Sequence, residues 1–271
     1  MSAADYPLLR DAAEHERLDA QARFWSADAH ALFAEAGVER GWRVADLGSG
    51  TLHVAEALSE HVGAGGRVVA LDSDRDLVRR NAAAAHALRR ADVRIEHGDA
   101  YATGWPADSF DAAHARFLAA PAGRLPGLVA EMRRIVRPGG CVMLQEPDAN
   151  TWSLPGASRE WLRLREWIRK GFALRRGDFD AGRALLGALA DEGFEALGRR
   201  CVVRTLPADH PYAALPFAFA RQLAPLWLRE GIVGATELEA VLAKVRAGLA
   251  AGGIAQTFTL VQAWGRRPVT G

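Results

Sequence analysis

Short aliphatic runs alternate along the chain with longer stretches in which apolar residues recur every three to four positions. The first spacing suits buried strands and the second suits amphipathic helices. The first 40 residues read as helices through Leu8, Leu9, Ala12, Leu18, Ala22, Phe24 and Trp25, then Ala31, Leu32 and Phe33. Arg43 to Leu47 predicts a strand ending at a glycine turn, and Thr51 to His61 a helix with Ala55, Leu58 and Val62 on one face. Gly63 and the Gly65-Gly66 pair stop that helix. Val68 to Leu71 predicts the second strand and Asp74 to Arg90 the next helix; Val93 to Glu96 and Phe110 to Ala115 follow as strands. Gly127 to Val136 reads as a helix with Leu128, Met132 and Ile135 inward. Pro138-Gly139-Gly140 ends it before the buried strand Cys141 to Leu144. Ala181 to Asp191 predicts another helix, Val202 to Leu206 a sixth strand and Thr257 to Trp264 a seventh.

Strands alternating with helices predict an α/β fold: a doubly wound, seven-stranded, mostly parallel sheet with helices on both faces. About fifty residues, Pro207 to Gly253, separate the last two strands, too many for a simple connection. A second extra piece, Trp152 to Arg176, follows the fifth strand. Open α/β sheets bind ligands beyond their strand ends, so these segments and the N-terminal helices predict a helical lid. The expected organisation is a single domain over 1–271. It has a cap over 1–40, a cofactor-binding core over 41–150, lid insertions over 151–178 and 207–253, and a last strand over 254–266.

Composition narrows the function. Lys plus Arg (34) nearly cancels Asp plus Glu (33), which gives no long-range pull on nucleic acid or anionic membrane. Cys141 and Cys201 stand far apart in apolar runs and read as buried, reduced thiols rather than a metal or redox pair. No apolar run approaches the ~18 residues of a membrane span, and Met1 to Arg10 lacks the pattern of a signal peptide. A cytoplasmic protein with no metal site, acting on a small molecule without nucleic-acid or membrane partners, is the expectation.

The chemistry concentrates at Asp46-Leu47-Gly48-Ser49-Gly50, between a strand and a helix. Backbone N–H groups and a helix N-terminus meet a ligand there. The dinucleotide fingerprint G-x-G-x-x-G needs a small third residue, and His53 holds that position. Asp46, two residues before the first glycine, would repel a pyrophosphate but suits the ammonium and sulfonium of S-adenosylmethionine. Asp72 closes the second strand, where a carboxylate accepts hydrogen bonds from ribose hydroxyls. That acid alone would fit NAD equally; the two acids together favour the methyl donor.

With these residues in place, the chain resembles class I, Rossmann-like S-adenosylmethionine-dependent methyltransferases of the small-molecule type. Val44 to Gly50 is similar to their first motif, Val69-Ala70-Leu71-Asp72 to the ribose-binding strand, and Glu96-His97-Gly98-Asp99-Ala100 to the adenine-contacting turn. Asp108-Ser109-Phe110-Asp111 with Ala115-Arg116-Phe117 looks like the fourth strand and the loop beneath the cofactor. Glu131 to Gly140 looks like the family's helix-to-turn signature. The ending Gln262 to Pro268 is similar to members from bacterial secondary metabolism. The resemblance covers most of the first 148 residues in order. It implies S-adenosyl-L-methionine as cofactor, held by Asp46, Gly48, Ser49, Gly50, Asp72, Ser73, Asp99, Ala100 and Arg116. It also implies methyl transfer to a small, apolar or aromatic secondary metabolite. Two departures stand out. Leu52 replaces the usual third glycine and is expected to narrow the methionine end or shift the helix start. The loop Phe117 to Pro121 lacks the histidine often found there.

His114 and His210 are the candidate catalytic bases. His114 alternates with alanines in a buried strand, where a packed histidine is the plain alternative; His210 follows Asp209 at a turn. Trp152, Trp161, Trp167, Phe172, Phe217, Phe219 and Trp227 crowd the insertions, as lid packing with one or two facing a substrate. The competing readings are a cofactor-binding or cyclase-type protein of the same fold and a nicotinamide oxidoreductase.

Overall fold

Alternation along the central strands sends successive side chains to opposite faces of one sheet, and each face carries its own core. The computed structural model describes residues 12–87, 92–156 and 158–269. Its strands are β1 (Arg43–Leu47), β2 (Arg67–Asp72), β3 (Val93–His97), β4 (Phe110–Arg116), β5 (Val136–Asp148), β6 (Glu195–Val202), β7 (Thr205–Pro207), β8 (Ile254–Gln256) and β9 (Thr259–Arg266). The helices are α1 (Ala12–Phe24), α2 (Ser26–Glu35), α3 (His53–Val62), α4 (Arg75–Ala87), α5 (Ala119–Ala122), α6 (Leu125–Ile135), α7 (Ser158–Ala173), α8 (Leu185–Asp191), α9 (Leu215–Arg229) and α10 (Ala235–Ala250). Leu8, Leu9 and the expected end of the fourth helix at Arg90 lie outside the described residues.

Seven strands join in the order β3-β2-β1-β4-β5-β9-β6. The first five are parallel, and β9 runs antiparallel to both β5 and β6. Val44, Val68, Ala70, Ala112 and Met143 pack against Leu32 and Phe33 of α2 and Leu58 of α3. The alternate residues Ala45, Leu71, Ala113, Val142 and Leu144 pack against Met132 and Ile135 of α6 and Leu185 and Leu189 of α8. Strands buried on both faces read as continuous apolar runs, which is why this part was legible.

Three expectations need correction. Pro138-Gly139-Gly140 does not separate helix from strand: α6 has ended at Ile135 and the triplet lies within β5. Phe110 pairs with Val136 and Ala112 with Cys141, so the triplet bulges out of register against β4. The sixth strand is Glu195–Val202, with Val202 only its last residue. This edge strand alternates exposed and half-buried positions, and Gly198 sits where a Cβ would collide with the Trp264 ring, so no apolar run marked it. Thr205–Pro207 instead pairs with Ile254–Gln256 in a separate two-stranded ribbon. Cys141 is buried as expected, but Cys201, on that edge strand, is exposed.

A third core gathers Trp25, Trp152, Trp161 and Phe172 with Phe219, Trp227 and Phe258. It binds α7, α9 and α10 into one layer with the stretch after β5. The strand order reverses between β1 and β4, the switch point at which a ligand crevice opens in such sheets.

Candidate active site at the switch point

Two glycines with positive φ, Gly48 at 66° and Gly50 at 56°, turn the chain from β1 toward α3. A Cβ on Gly48 would lie 2.9 Å from Leu118 Cδ1, so this position needs glycine for conformation and for space. The Ser49 N–H donates to the Leu71 carbonyl at 3.0 Å. Asp72 then ties two loops together: its carboxylate accepts from the Gly50 N–H and the Asp74 N–H, both at 2.8 Å. Asn81 Nδ2 donates to the Gly50 carbonyl at 2.7 Å and fixes the loop from α4. Asp99 accepts from the Tyr101 N–H at 3.0 Å, shaping the turn after β3.

Asp46 and His114 face each other across the β1–β4 register, and His114 Nδ1 lies 2.8 Å from Asp46 Oδ1. Asp46 Oδ2 has no hydrogen-bond partner although it is buried, and neither do Ser49 Oγ and Arg116 Nη1. Burial pushes the Arg116 guanidinium down to about 10, against the opposing pull of Asp46, Tyr212 and Asp28. Buried polar atoms are nearly always paired, so three orphans of complementary character around one space point to a ligand.

That space is one cavity that opens to solvent beyond the strand ends. Asp46, Gly48, Ser49, Gly50, Asp72, Ser73, Asp99, Ala100 and Arg116 all line it. Neither candidate base does. His114 is fully buried and absent from the lining, with Nδ1 on Asp46 and Nε2 2.7 Å from Gln145 Nε2, so both ring nitrogens are already engaged by side chains. His210 Nδ1 accepts from the Tyr212 N–H at 3.1 Å and caps a short turn, so its position is that of a turn residue. Leu52 packs with the core under α2 and α3 instead of narrowing the cavity, and α3 begins directly after it at His53. His53 faces Asp19 and Glu56 at 3.6 and 3.9 Å.

The rest of the lining was not foreseen. Glu14, Arg17 and Gln21 of α1 enter from above; Arg17 holds Glu14 through two hydrogen bonds of 2.7 Å and donates to Gln21. Phe117, Phe172, Phe179, Phe219 and Phe258 form an aromatic chamber beside them. Of these only Phe172 and Phe219 belong to the predicted aromatic set; the others converge from distant loops and carry no local signal. The loop between β4 and α6 is held by Glu146, which is fully buried and accepts from the Leu118, Ala119 and Ala120 N–H groups at 2.9, 2.7 and 3.0 Å. Burial nevertheless pushes its carboxyl up to about 7. No group of three metal-ligating side chains forms among the described residues, and no described helix is long and apolar enough to cross a membrane.

Residues 44–140 match the family described as a methyltransferase domain. Over that stretch the chain is similar to methyltransferase domains, whose cofactor is S-adenosylmethionine. Nocamycin O-methyltransferase of Saccharothrix syringae is 33% identical over 169 residues, covering 62% of this chain and 53% of that protein. The chain thus spans about half the length of the curated relatives it matches. Among solved structures, geranyl diphosphate C-methyltransferase of Streptomyces coelicolor A3(2), complexed with its diphosphate and S-adenosylhomocysteine, superposes with TM-score 0.55. It is 17% identical, with 90% of this chain and 80% of that one covered. The [4+2]-cyclase SpnF superposes with TM-score 0.57 at 18% identity, covering 90% of this chain and 82% of that one. At these identities the structures share the fold. The orphaned Asp46 Oδ2, Ser49 Oγ and Arg116 Nη1 fit the cofactor chemically, since an amino-acid end carries both an ammonium donor and a carboxylate acceptor.

Proposed function

We propose that this protein transfers a methyl group from S-adenosylmethionine to a small apolar or aromatic molecule, a secondary metabolite. One observation carries the reading: a single cavity joins the glycine-loop cradle to a chamber of five phenylalanines. When bound, S-adenosylmethionine supplies a sulfonium methyl that a nucleophile takes by in-line displacement.

The chain's own residues hold and orient. Asp72 accepts from the ribose hydroxyls, Ser73 and the Gly48 to Gly50 backbone cradle the donor, and Asp99 with Ala100 holds the adenine edge. Asp46 and Arg116 take the ammonium and carboxylate of the methionine end, each relieving a buried orphan. The phenylalanine chamber positions the acceptor and excludes water, which leaves alignment as the main catalytic work. The layer of α7, α9 and α10 acts with α1 as the lid of a single domain. Neither His114 nor His210 reaches the cavity lining, and an already activated donor requires a base only where the acceptor must lose its proton.

Incubation with S-adenosylmethionine and a panel of phenolic, enolic and carboxylic acceptors tests the reading by mass spectrometry. A product heavier by one methyl, with equimolar S-adenosylhomocysteine, is expected. A product altered without methyl gain would establish the cyclase-type alternative instead.

A further inference from the structure

Behind Asp46 a chain of buried polar side chains crosses the sheet away from the cavity. His114 Nδ1 lies 2.8 Å from Asp46 Oδ1, and its Nε2 lies 2.7 Å from Gln145 Nε2. Gln145 Oε1 accepts from Gln262 Nε2 at 2.8 Å, and the same Gln262 nitrogen donates to the Asp28 carbonyl at 2.9 Å. Gln262 Oε1 accepts from Arg200 Nη1 at 3.3 Å. His114, Gln145 and Gln262 have no exposed surface. Three buried polar groups on β4, β5 and β9 are costly unless they are paired, and here each of their side-chain nitrogens and oxygens has a partner.

The two ends of the chain dictate the direction of each bond. Arg200 can only donate and a backbone carbonyl can only accept, so Gln262 turns its oxygen to Arg200 and its amide nitrogen to Asp28. The other Gln262 N–H then meets the Gln145 oxygen, which points the Gln145 amide nitrogen at His114. His114 Nε2 must therefore accept, so the ring proton sits on Nδ1 and is donated to Asp46. A second ring proton would face an amide N–H, so the arrangement selects the neutral ring. The Phe33 ring stands edge-on to the imidazole at 5.7 Å and closes its remaining side. Asp46 thereby has one oxygen anchored and presents the other, Oδ2, without a partner.

We infer that His114 is a positioning residue: through the His114–Gln145–Gln262 chain it aims Asp46 Oδ2 at the cationic amino-acid end of the cofactor and takes no proton from the acceptor. This rests on the cofactor reading proposed above.

Two substitutions separate the two bonds of the ring. His114→Asn puts an amide nitrogen near the Nδ1 position and keeps a donor for Asp46; His114→Gln reaches the Nε2 position and loses it. The full chain and both variants are titrated calorimetrically with S-adenosylhomocysteine and with 5′-methylthioadenosine, which lacks the amino-acid end. His114→Gln should weaken S-adenosylhomocysteine by about tenfold or more, the equivalent of a charged hydrogen bond, and leave methylthioadenosine within about twofold. His114→Asn should restore most of the loss. Equal weakening of both ligands, or unchanged S-adenosylhomocysteine affinity in His114→Gln, overturns the relay. If the wild type binds neither nucleoside, the cofactor reading falls and the relay with it. Nitrogen-15 NMR of the wild type gives a check independent of either variant: His114 should be the neutral Nδ1–H tautomer at neutral pH. An Nε2–H tautomer or an imidazolium would refute the assignment.

Discussion

Replacing Arg116 with methionine separates a ligand-binding role from a structural one. The guanidinium sits beside the cavity with Nη1 buried and unpartnered, and burial presses its pKa below the ordinary arginine value, to about 10. At about 1.4 kcal/mol per tenfold, that depression is roughly 3 kcal/mol of unrelieved cost. The folded pKa of this base is the lower one, so the cost is present in full below pH about 10. There both folded and unfolded chains carry the proton; above it the folded group releases its proton first, and the cost fades as the pH climbs from the folded toward the unfolded value. Methionine keeps much of the stem's volume and removes the charge. That cost is already net of the attraction to Asp46; loss of the cation–π contact with the Phe117 ring at 5.9 Å offsets part of the gain, leaving a net stabilisation of about 1–2 kcal/mol, or several degrees in Tm for a chain of this size. At the same time the carboxylate of the methionine end loses its partner, which should cost about 1.5–3 kcal/mol of S-adenosylhomocysteine affinity. Thermal melting without ligand and calorimetry with it read the two effects separately. A lower Tm in Arg116→Met together with unchanged affinity would show that the arginine is structural and refute the argument.

Asp72→Ala should weaken S-adenosylmethionine by at least about 1.5 kcal/mol in calorimetry, because it removes the acceptor that also holds the Gly50 and Asp74 N–H groups. Gly48→Ala should lower both Tm and affinity, since the added Cβ meets Leu118 at a positive φ; wild-type values in both assays would show that the loop is not constrained as described. Glu146 gives a pH test. Its folded pKa, about 7, lies above the ordinary 4.5, so its stabilising contribution is complete below pH about 4.5 and is lost as pH rises through about 7. Glu146→Gln should therefore flatten the fall of Tm across that window, and parallel curves for the two proteins would contradict it.

The parallel core and glycine loop were legible because their signals are local. Short runs of small and apolar residues mark β1, β2 and β4, with glycine ahead of β1 and β2, and an acid at a strand end marks Asp46 and Asp72. Gly198, Arg199 and Arg200 break the apolar pattern of β6, and an edge strand needs no such pattern. The acceptor chamber was hidden for a different reason. Phe117, Phe179 and Phe258 meet only after the β4 loop, the segment after α7 and the ribbon before β9 have folded together. Arg116 carries a faint signal, a cation closing the fourth strand, but its missing partner is visible only in three dimensions. Leu52 misled because spacing gave its place in the motif but not its direction, which is into the core below α3.

Calorimetric titration of the full chain with S-adenosylhomocysteine and with NADH tests the central claim most directly. The account predicts one S-adenosylhomocysteine per chain, with binding sharply weakened in Asp72→Ala, and no heat from NADH. Binding of NADH without S-adenosylhomocysteine, or nucleoside binding indifferent to Asp72, would contradict it.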